Sequence, residues 1–392
     1  MTGRLAIDGG KPVRRLQLPY GRQQVTRQDI AAVVAVLKSD FLTTGPKIAE
    51  FEKAFADYIG VRHAVAFSSG TAALHAAVLA SEPELPGKIV TSPLTFAASA
   101  NCGVYVGLEP AFVDIDPKTW NLDVRAAIPS DARVVVPVHY AGTPADSAEL
   151  KTSAVVVEDA CHGLGAEVRG ERVGGCRNSA MTAFSFHPVK HITTGEGGML
   201  TTRSAELAEK LREIRHHGMC RDPKKYKHGQ GGWYHEMQRL GFNYRVTDVQ
   251  CALGLSQLKR IGSNLKRRRE IVEAYRAAFA KDARLELPPE PKGMKSAWHL
   301  FPVALHLGRL AAGRARVFDA LRAEGIGVHV LYIPVHLHPY YRERYGFKPG
   351  MFPKAEALYE RLICLPMFHG MKDRDVKDVV TAVRKVLDAV GR

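Results

Sequence analysis

Short apolar runs alternate with longer segments of helical periodicity between residues 60 and 202. Runs rich in valine and alanine are typical of strands buried on both faces, and the segments between them are long enough for helices. The pattern therefore predicts an α/β fold, with a mostly parallel sheet flanked by helices. The seven predicted strands are residues 64–67, 88–91, 111–115, 133–138, 154–158, 181–185 and 198–201.

Helical spacing marks the two ends of the chain. A helix is predicted to begin after Thr26, because threonine is a good N-cap and Asp29 lies in the first turn. After about residue 261 the pattern changes to a helix, strands near 298–303 and 327–332, and a last amphipathic helix over 373–387. We predict a large α/β domain over residues 1–260, with a loosely held arm to about residue 17. A smaller α+β domain covers residues 261–392.

Composition narrows the class of protein. The chain has 392 residues, 46% of them hydrophobic, and six scattered cysteines without a C-x-x-C pair. This cysteine usage favours a reducing compartment and predicts neither disulfides nor a metal site. No apolar run approaches the roughly 18 residues that span a bilayer, and no signal peptide is apparent. We expect a cytoplasmic protein with no membrane partner.

The net charge of +15, from 55 basic and 40 acidic residues, favours an anionic partner. The densest basic cluster, residues 259–269, has helical periodicity and no accompanying nucleic-acid motif. We interpret it as a solvated helix face and expect no nucleic acid partner. An anionic small substrate is another partner that this charge would attract.

Lys190 stands in an unusual local sequence. Apolar and aromatic residues precede it, Pro188 lies two positions before it, and a glycine-rich turn follows. An amine among apolar groups loses hydration of its charged form, so its pKa falls and it can form a Schiff base with an aldehyde cofactor. A lysine that extends from a strand end to water is the ordinary alternative.

Three further segments carry candidate chemistry. Gly70 and Thr71 open a helix after the first strand, where free N–H groups favour phosphate, although simple helix capping is the commoner reason for such a sequence. Asp159 ends the fifth strand, where α/β sites collect ligands, or else it caps a turn. Phe96 is suited to stacking on a flat ring, or to a place in the core.

The motif Ser-Phe-His-x-x-Lys-x-Ile-Thr-Thr-x-Glu-Gly-Gly around Lys190 resembles the cofactor-lysine signature of the DegT/DnrJ/StrS-type sugar aminotransferases. Matching motifs run from about residue 18 to about residue 370. The resemblance implies a fold type I enzyme that uses pyridoxal 5'-phosphate, with pyridoxamine 5'-phosphate as its intermediate form. Lys190 would hold the cofactor and move the proton, and Asp159 would pair with the pyridine nitrogen.

The resemblance also implies the remaining cofactor contacts. Gly70, Thr71 and Ser185 would hold the phosphate, Phe96 would stack on the ring, and His162 would neighbour the ring hydroxyl. Asn243, in Gly-Phe-Asn-Tyr-Arg, would reach the phosphate of the neighbouring subunit's cofactor. We therefore expect a homodimer with shared active sites.

For the substrate, the resemblance implies a UDP-sugar, with glutamate as amine donor and 2-oxoglutarate as product. The segments expected to contact the sugar nucleotide are an N-terminal tyrosine, a loop that could also be a plain turn, and a proline-bounded C-terminal segment whose histidines could equally be surface residues. Their residues are Tyr20, Asp40, Phe41, Leu42, Thr43, Val335, His336, Leu337 and His338.

Two departures from the family pattern bear on function. Leu331 stands where relatives commonly carry histidine, which leaves the sugar open, and Cys161 replaces a smaller residue. Two rival functions remain at this point: a non-catalytic relative that keeps the fold, and a dehydratase of the same fold. Lys190 together with Asp159 argues against the first, and those dehydratases carry histidine where Lys190 stands.

Overall fold

The computed structural model describes residues 4–220, 222–229 and 231–392. The strands are β1 His63–Phe67, β2 Lys88–Thr91, β3 Glu109–Phe112, β4 Ala132–Val136, β5 Val155–Asp159, β6 Glu167–Val168, β7 Glu171–Arg172, β8 Met181–Ser185, β9 Gly198–Thr202, β10 Met219–Cys220, β11 Glu236–Met237, β12 Leu285–Glu286, β13 Met294–Lys295, β14 Phe301–Leu305 and β15 Leu362–Leu365. The α-helices are α1 Arg27–Leu37, α2 Pro46–Ile59, α3 Gly70–Ala80, α4 Ala98–Val104, α5 Ala205–Arg215, α6 Asp248–Leu258, α7 Ile261–Phe279, α8 Arg314–Ala323, α9 Pro339–Tyr345, α10 Pro353–Tyr359 and α11 Asp373–Val390. Short 3-10 helices span Ala6–Asp8, Tyr140–Gly142, Ser147–Glu149, Pro223–Lys225, Leu307–Arg309 and Val335–Leu337.

The seven predicted strands form one sheet in the order β1-β9-β8-β5-β4-β2-β3. The pairs from β8 through β5, β4 and β2 to β3 are parallel, whereas β9 runs antiparallel to both β8 and β1. The predicted mostly parallel α/β fold is therefore confirmed. The segment around Lys190 is the connection from β8 to β9, which brings it to the edge where β5 and β8 end.

The sheet is buried on both faces, which explains its continuous apolar strands. Along β1, Val65 and Phe67 pack with α3 and α5, while Ala64 and Ala66 pack with α2 on the opposite face. Helix α3 starts directly after β1, so its first turn reaches the same edge of the sheet. The sheet thus positions both candidate cofactor segments.

The C-terminal part is organised around a second, three-stranded sheet in the order β12-β14-β15. Its strands pair antiparallel, and the apolar faces of α7, α8 and α11 pack with it in one cluster. Leu5 and Leu18, from the start of the chain, belong to this cluster. The last predicted helix is present and extends to Val390.

Two sequence predictions are wrong in this part. The N-terminal segment is not loosely held, because the buried Glu324 carboxylate accepts hydrogen bonds from the N–H groups of Ala6 and Val13 at 2.8 and 3.0 Å. Residues 327–332 do not form a strand. Two isolated β-bridges occur here instead: Ile326, just before the segment, pairs with Leu18, and His329, within it, pairs with Cys364.

Helix α1 begins as predicted, with Thr26 and Asp29 in a capping box. Asp29 is also fully buried and bound bidentately by Arg260, which joins α1 to the end of α6. In the described part of the chain, no helix has the length and apolar character needed to cross a membrane. The sequence also predicts a mobile loop over the site in the glycine-rich, basic stretch 221–232, of which residues 221 and 230 lie outside the described residues.

Candidate active site

A cavity of about 400 Å³ lies at the carboxyl ends of β5 and β8 and the start of α3. This is the edge at which open α/β sheets bind ligands. The structure brings together here a set of side chains that are far apart in the sequence. The predicted site residues that line the cavity are Tyr20, Gly70, Thr71, Phe96, Asp159, His162, Ser185 and Lys190.

Lys190 is held by the backbone of the β8–β9 connection. Its N–H donates to the carbonyl of His187 at 2.9 Å, and the N–H of Thr194 and the hydroxyl of Thr193 both donate to the carbonyl of Phe186 at 3.0 Å. Burial lowers the pKa of Lys190, although the neighbouring Cys161 thiol and Asp159 carboxylate oppose the shift. The amine therefore has a larger neutral, nucleophilic fraction near neutral pH than an ordinary lysine.

Asp159 is fixed at the end of β5 by two hydrogen bonds. Its Oδ2 accepts from the Ser99 hydroxyl at 2.7 Å, and its Oδ1 accepts from the N–H of Cys161 at 3.0 Å. The Thr95 hydroxyl lies 2.7 Å from that of Ser99 and extends the network. The two donors fix the orientation of the carboxylate, so that it could serve as the partner of a pyridine nitrogen.

The start of α3 forms a cradle with room for a phosphate. A Cβ at Gly70 would lie 2.8 Å from Cβ of Ser185 and 3.2 Å from Sγ of Cys161, so no other residue fits without a shift. The Ser69 hydroxyl caps the helix by accepting from the N–H of Ala72 at 3.0 Å. First-turn N–H groups and two hydroxyls, those of Thr71 and Ser185, therefore face one end of the cavity, where an anion is favoured.

His162 and Phe96 both line the cavity, and the rings of both contact Tyr332. Nε2 of His162 is 3.1 Å from the Tyr332 hydroxyl, while its Nδ1 is buried with no hydrogen-bond partner among the described residues. Burial and, after it, the Lys190 charge hold the pKa of His162 well below its usual value, so the ring is neutral. Phe96 is 59% exposed, with its ring centroid 5.8 Å from that of Tyr332.

These groups fit pyridoxal phosphate. The cavity offers an amine with lowered pKa, a fixed carboxylate, an anion cradle at a glycine and an orphaned imidazole nitrogen. Each matches one part of the cofactor: the aldehyde, the pyridine nitrogen, the phosphate and the ring oxygen, respectively. No cluster of potential metal ligands occurs among the residues that the structure describes.

The predicted loop contacts lie elsewhere. Residues 40–43 are exposed and do not line the cavity. Thr43 forms a bridge with Thr247, and the carbonyl of Leu42 accepts from the N–H of Asp248 at 3.0 Å. Asn243 is also exposed and outside the cavity, where it forms a bridge with His216. Within one subunit these residues have no access to the site.

The predicted C-terminal substrate segment is corrected by the structure. Val335 and His336 are fully buried away from the cavity, and Nε2 of His336 lies 2.9 Å from Glu356. Leu337 and His338 are partly exposed and do not line the cavity either. From the 3-10 helix Val335–Leu337, Val335 packs with Tyr341 of α9, and His336 pairs with Glu356 of α10. Leu331 and Tyr332 supply the C-terminal lining instead.

Sequence reasoning missed Ser99 and His299. Ser99 lies one helical turn after Phe96, so a hydroxyl at that spacing from a cavity aromatic is the signal that could have found it. His299 lies just before β14 and lines the cavity from the C-terminal part of the chain. Only tertiary packing brings it there, and the local sequence carries no sign of it.

The fold and these groups define a pyridoxal-phosphate-dependent aminotransferase of fold type I. The sequence model of the DegT/DnrJ/EryC1/StrS aminotransferase family matches residues 23–384, and the chain belongs to this family. It is therefore a sugar aminotransferase. The spore coat polysaccharide biosynthesis protein SpsC of Bacillus subtilis is 38% identical over 379 residues, which cover 94% of this chain and 97% of SpsC.

Solved structures agree with this assignment. PseC of Helicobacter pylori, an aminotransferase involved in the biosynthesis of pseudaminic acid, is 30% identical with a TM-score of 0.87, covering 95% of this chain and 100% of PseC. The sugar aminotransferase Spr1654 of Streptococcus pneumoniae in its PLP form is 28% identical, also with a TM-score of 0.87. The match covers 96% of this chain and 100% of Spr1654. The PMP form of Spr1654 has the same identity and TM-score, and the match covers 95% of this chain and 99% of Spr1654.

Proposed function

We propose that this enzyme transfers the amino group of glutamate to C4 of a UDP-linked 4-keto-6-deoxy-N-acetylhexosamine. The product would be UDP-4-amino-4,6-dideoxy-N-acetyl-β-L-altrosamine, an intermediate of pseudaminic acid synthesis. The observation that carries the amine-transfer part is the meeting of Lys190, Asp159 and the Gly70 cradle in one cavity. The similarity to PseC over 95% of the chain supports this sugar.

The residues divide the work of the reaction. Bound pyridoxal phosphate supplies an electron sink that stabilises negative charge next to the amine nitrogen. Lys190 would hold the cofactor through its aldehyde and, as a free amine, would move the proton as acid and base. Asp159, fixed by Ser99, would supply the negative charge beside the pyridine nitrogen.

The phosphate and ring oxygen are held by the remaining cavity groups. The first-turn N–H groups of α3 and the hydroxyls of Thr71 and Ser185 would hold the phosphate, while Asp159 would pair with the pyridine nitrogen. Nδ1 of His162, buried and without a partner among the described residues, would donate to the ring oxygen. Phe96 would stack on the ring, because its side chain lines the cavity and is 59% exposed.

We assign the outer part of the cavity to the sugar nucleotide. Its lining includes Tyr20, Val189, Leu331 and Tyr332. The hydroxyls of the two tyrosines and the apolar side chains of Val189 and Leu331 would therefore face the hexose. A 6-deoxy sugar has a methyl group that an apolar surface accommodates well. The net charge of +15 favours approach of the diphosphate.

A homodimer would complete the site. Asn243 is exposed, as a residue that serves a neighbouring subunit must be in a single chain. Helix α1 and the loop after it expose a run of apolar side chains that a second copy would cover, and residues 40–43 lie at its end. The exposed apolar side chains are Ile30, Val34, Leu37, Phe41 and Leu42.

All six cysteines are free, which fits our proposal that the enzyme works in the cytoplasm.

A two-stage assay tests this function. Glutamate alone should remove the visible absorption of the purified holoenzyme, with release of 2-oxoglutarate. A panel of 4-keto nucleotide sugars should then restore the absorption, and mass spectrometry should find the amino sugar. Best turnover of the UDP-linked N-acetylated 6-deoxy sugar supports the proposal.

The same panel separates the alternatives. Preference for the precursor of UDP-4-amino-4,6-dideoxy-GlcNAc, UDP-4-amino-L-arabinose or GDP-perosamine would replace the proposed sugar and keep the reaction. If glutamate leaves the absorption unchanged and no sugar is aminated, the chain is a non-catalytic relative.

A further inference from the structure

Three histidine rings are packed in a row on the inner side of the cavity. The ring centroids of His162 and His299 are 4.3 Å apart, and those of His299 and His191 are 5.4 Å apart. All three residues are buried, and the exposed fraction of His299 is 3%. Because imidazole nitrogens are costly to bury without partners, simple filling of the core does not explain this row.

The inner end of the row is anchored to the protein backbone. The fully buried Arg268 places Nη1 3.0–3.1 Å from the carbonyl oxygens of Trp298, His299 and Met367. Nε2 of His191 donates to the carbonyl of Ala297 at 2.9 Å. The backbone that carries His299 is thus held from two sides, so the His299 ring has a fixed position against which a neighbour can rest.

The outer end of the row is His162. Its ring contacts His299 on one side and Tyr332 on the other, with a centroid distance of 5.9 Å and an interplanar angle of 19° to Tyr332. Its Nε2 is 3.1 Å from the Tyr332 hydroxyl, and its Nδ1 has no hydrogen-bond partner in the described part of the chain. The two neighbouring rings therefore set the direction in which this nitrogen points.

We propose that His299 is a positioning residue, whose ring holds His162 in the orientation from which Nδ1 of His162 reaches the ring oxygen of the cofactor. The inference rests on the role of His162 given under the proposed function. It requires contact between the rings and no proton transfer by His299. Nδ1 of His299 itself is buried without a partner among the described residues, so an apolar ring can replace it without breaking a hydrogen bond.

The test is a double-mutant cycle in the holoenzyme, measured on the glutamate half-reaction so that the identity of the sugar does not enter. His299→Leu should lower the rate constant for loss of visible absorption about tenfold in the wild-type background and less than about twofold in the His162→Gln background. His299→Phe should restore most of the rate, because it keeps a ring beside His162. His369→Leu is the matched control, because neither ring nitrogen of His369 has a partner among the described residues and His369 does not line the cavity. The rate of this variant should equal that of the wild type.

A second readout does not depend on turnover. The visible absorption spectrum of His299→Leu before glutamate is added should shift in the same direction as that of His162→Gln, because both disturb the contact with the ring oxygen. Melting temperatures report whether each variant is folded. Additive rate effects in the cycle, or a His299→Phe variant as slow as His299→Leu, would overturn the proposal.

Two further outcomes also count against it. Variants of His299 that fail to fold would make the residue structural. A His162→Phe enzyme, whose side chain has no hydrogen-bond donor, with wild-type rate and spectrum would show that His162 does not contact the ring oxygen. The role of His299 would then fall as well, while the amine transfer would stay intact.

Discussion

The cofactor end of the cavity takes its groups from strand ends and a helix start, whereas its outer end is lined by connecting segments. Asp159 and Ser185 end β5 and β8, and Gly70 opens α3. Tyr20 and Leu331 lie outside the strands and helices, and Leu331 is held through its backbone carbonyl, which accepts from the Tyr140 hydroxyl. The sheet therefore positions the groups at the cofactor end, whereas connecting segments, which tolerate sequence change better, line the end that we assign to the sugar.

The largest effect is expected at Lys190. Lys190→Ala should lower kcat more than about a thousandfold, because the variant loses both the nucleophile and the proton carrier. Cofactor should still bind noncovalently through the phosphate cradle, which equilibrium dialysis can measure. Lys210→Ala, which removes a lysine paired with Glu82 at the surface, should leave kcat unchanged. Full activity in Lys190→Ala would show that Lys190 is not the cofactor lysine.

Asp159→Asn tests the carboxylate at the same end. An amide cannot keep the pyridine nitrogen protonated, so kcat should fall about a hundredfold or more, while cofactor affinity changes far less. Steady-state kinetics gives kcat, and equilibrium dialysis gives the affinity for the cofactor. Asp57→Asn, on the exposed face of α2, is the control and should behave as wild type. If Asp159→Asn keeps the wild-type kcat, Asp159 has no part in the mechanism.

Subunit mixing tests whether the outer end is completed by a partner. Asn243→Ala should be impaired about tenfold or more if its amide hydrogen-bonds the phosphate in the neighbouring site. Mixing it with Lys190→Ala chains should then form heterodimers with one intact site and recover activity. Native mass spectrometry verifies the exchange. No recovery despite verified exchange would argue that each site is built from one chain.

Ser99→Ala probes how firmly the sheet edge holds its carboxylate. The hydroxyl donates to Asp159 at 2.7 Å, and a hydrogen bond to a charged group is worth about 1.5–3 kcal/mol. We expect kcat to fall about tenfold in the wild-type background and hardly at all in Asp159→Asn. Equal losses in both backgrounds would show that Ser99 acts independently of Asp159.

The smallest effect is expected at the outer end. Leu331→His adds a hydrogen-bonding group to the cavity wall and should change the ratio of kcat/KM between two C5 epimers of the substrate by about 1–2 kcal/mol. Ile333→His, two residues away and outside the cavity, is the control. The same epimer ratio in Leu331→His and wild type would show that this wall does not read the sugar.

Sequence predicts the cofactor end well, because burial on both faces marks β1 to β5, β8 and β9 and their ends must meet at one edge. It fails where long-range contacts decide. Glu324 binds Ala6 across 318 residues and fastens a segment that looks like a loose arm. His336 resembles a loop histidine, yet its pairing with Glu356 takes it out of the site.

Chemical trapping tests the central claim most directly. Borohydride reduction of the holoenzyme turns a lysine Schiff base into a stable amine, and peptide mapping by mass spectrometry identifies the residue. We predict a single phosphopyridoxyl label on Lys190, which is absent when glutamate is added before the borohydride. A label on another lysine, or an active holoenzyme with no label on Lys190, would contradict the account.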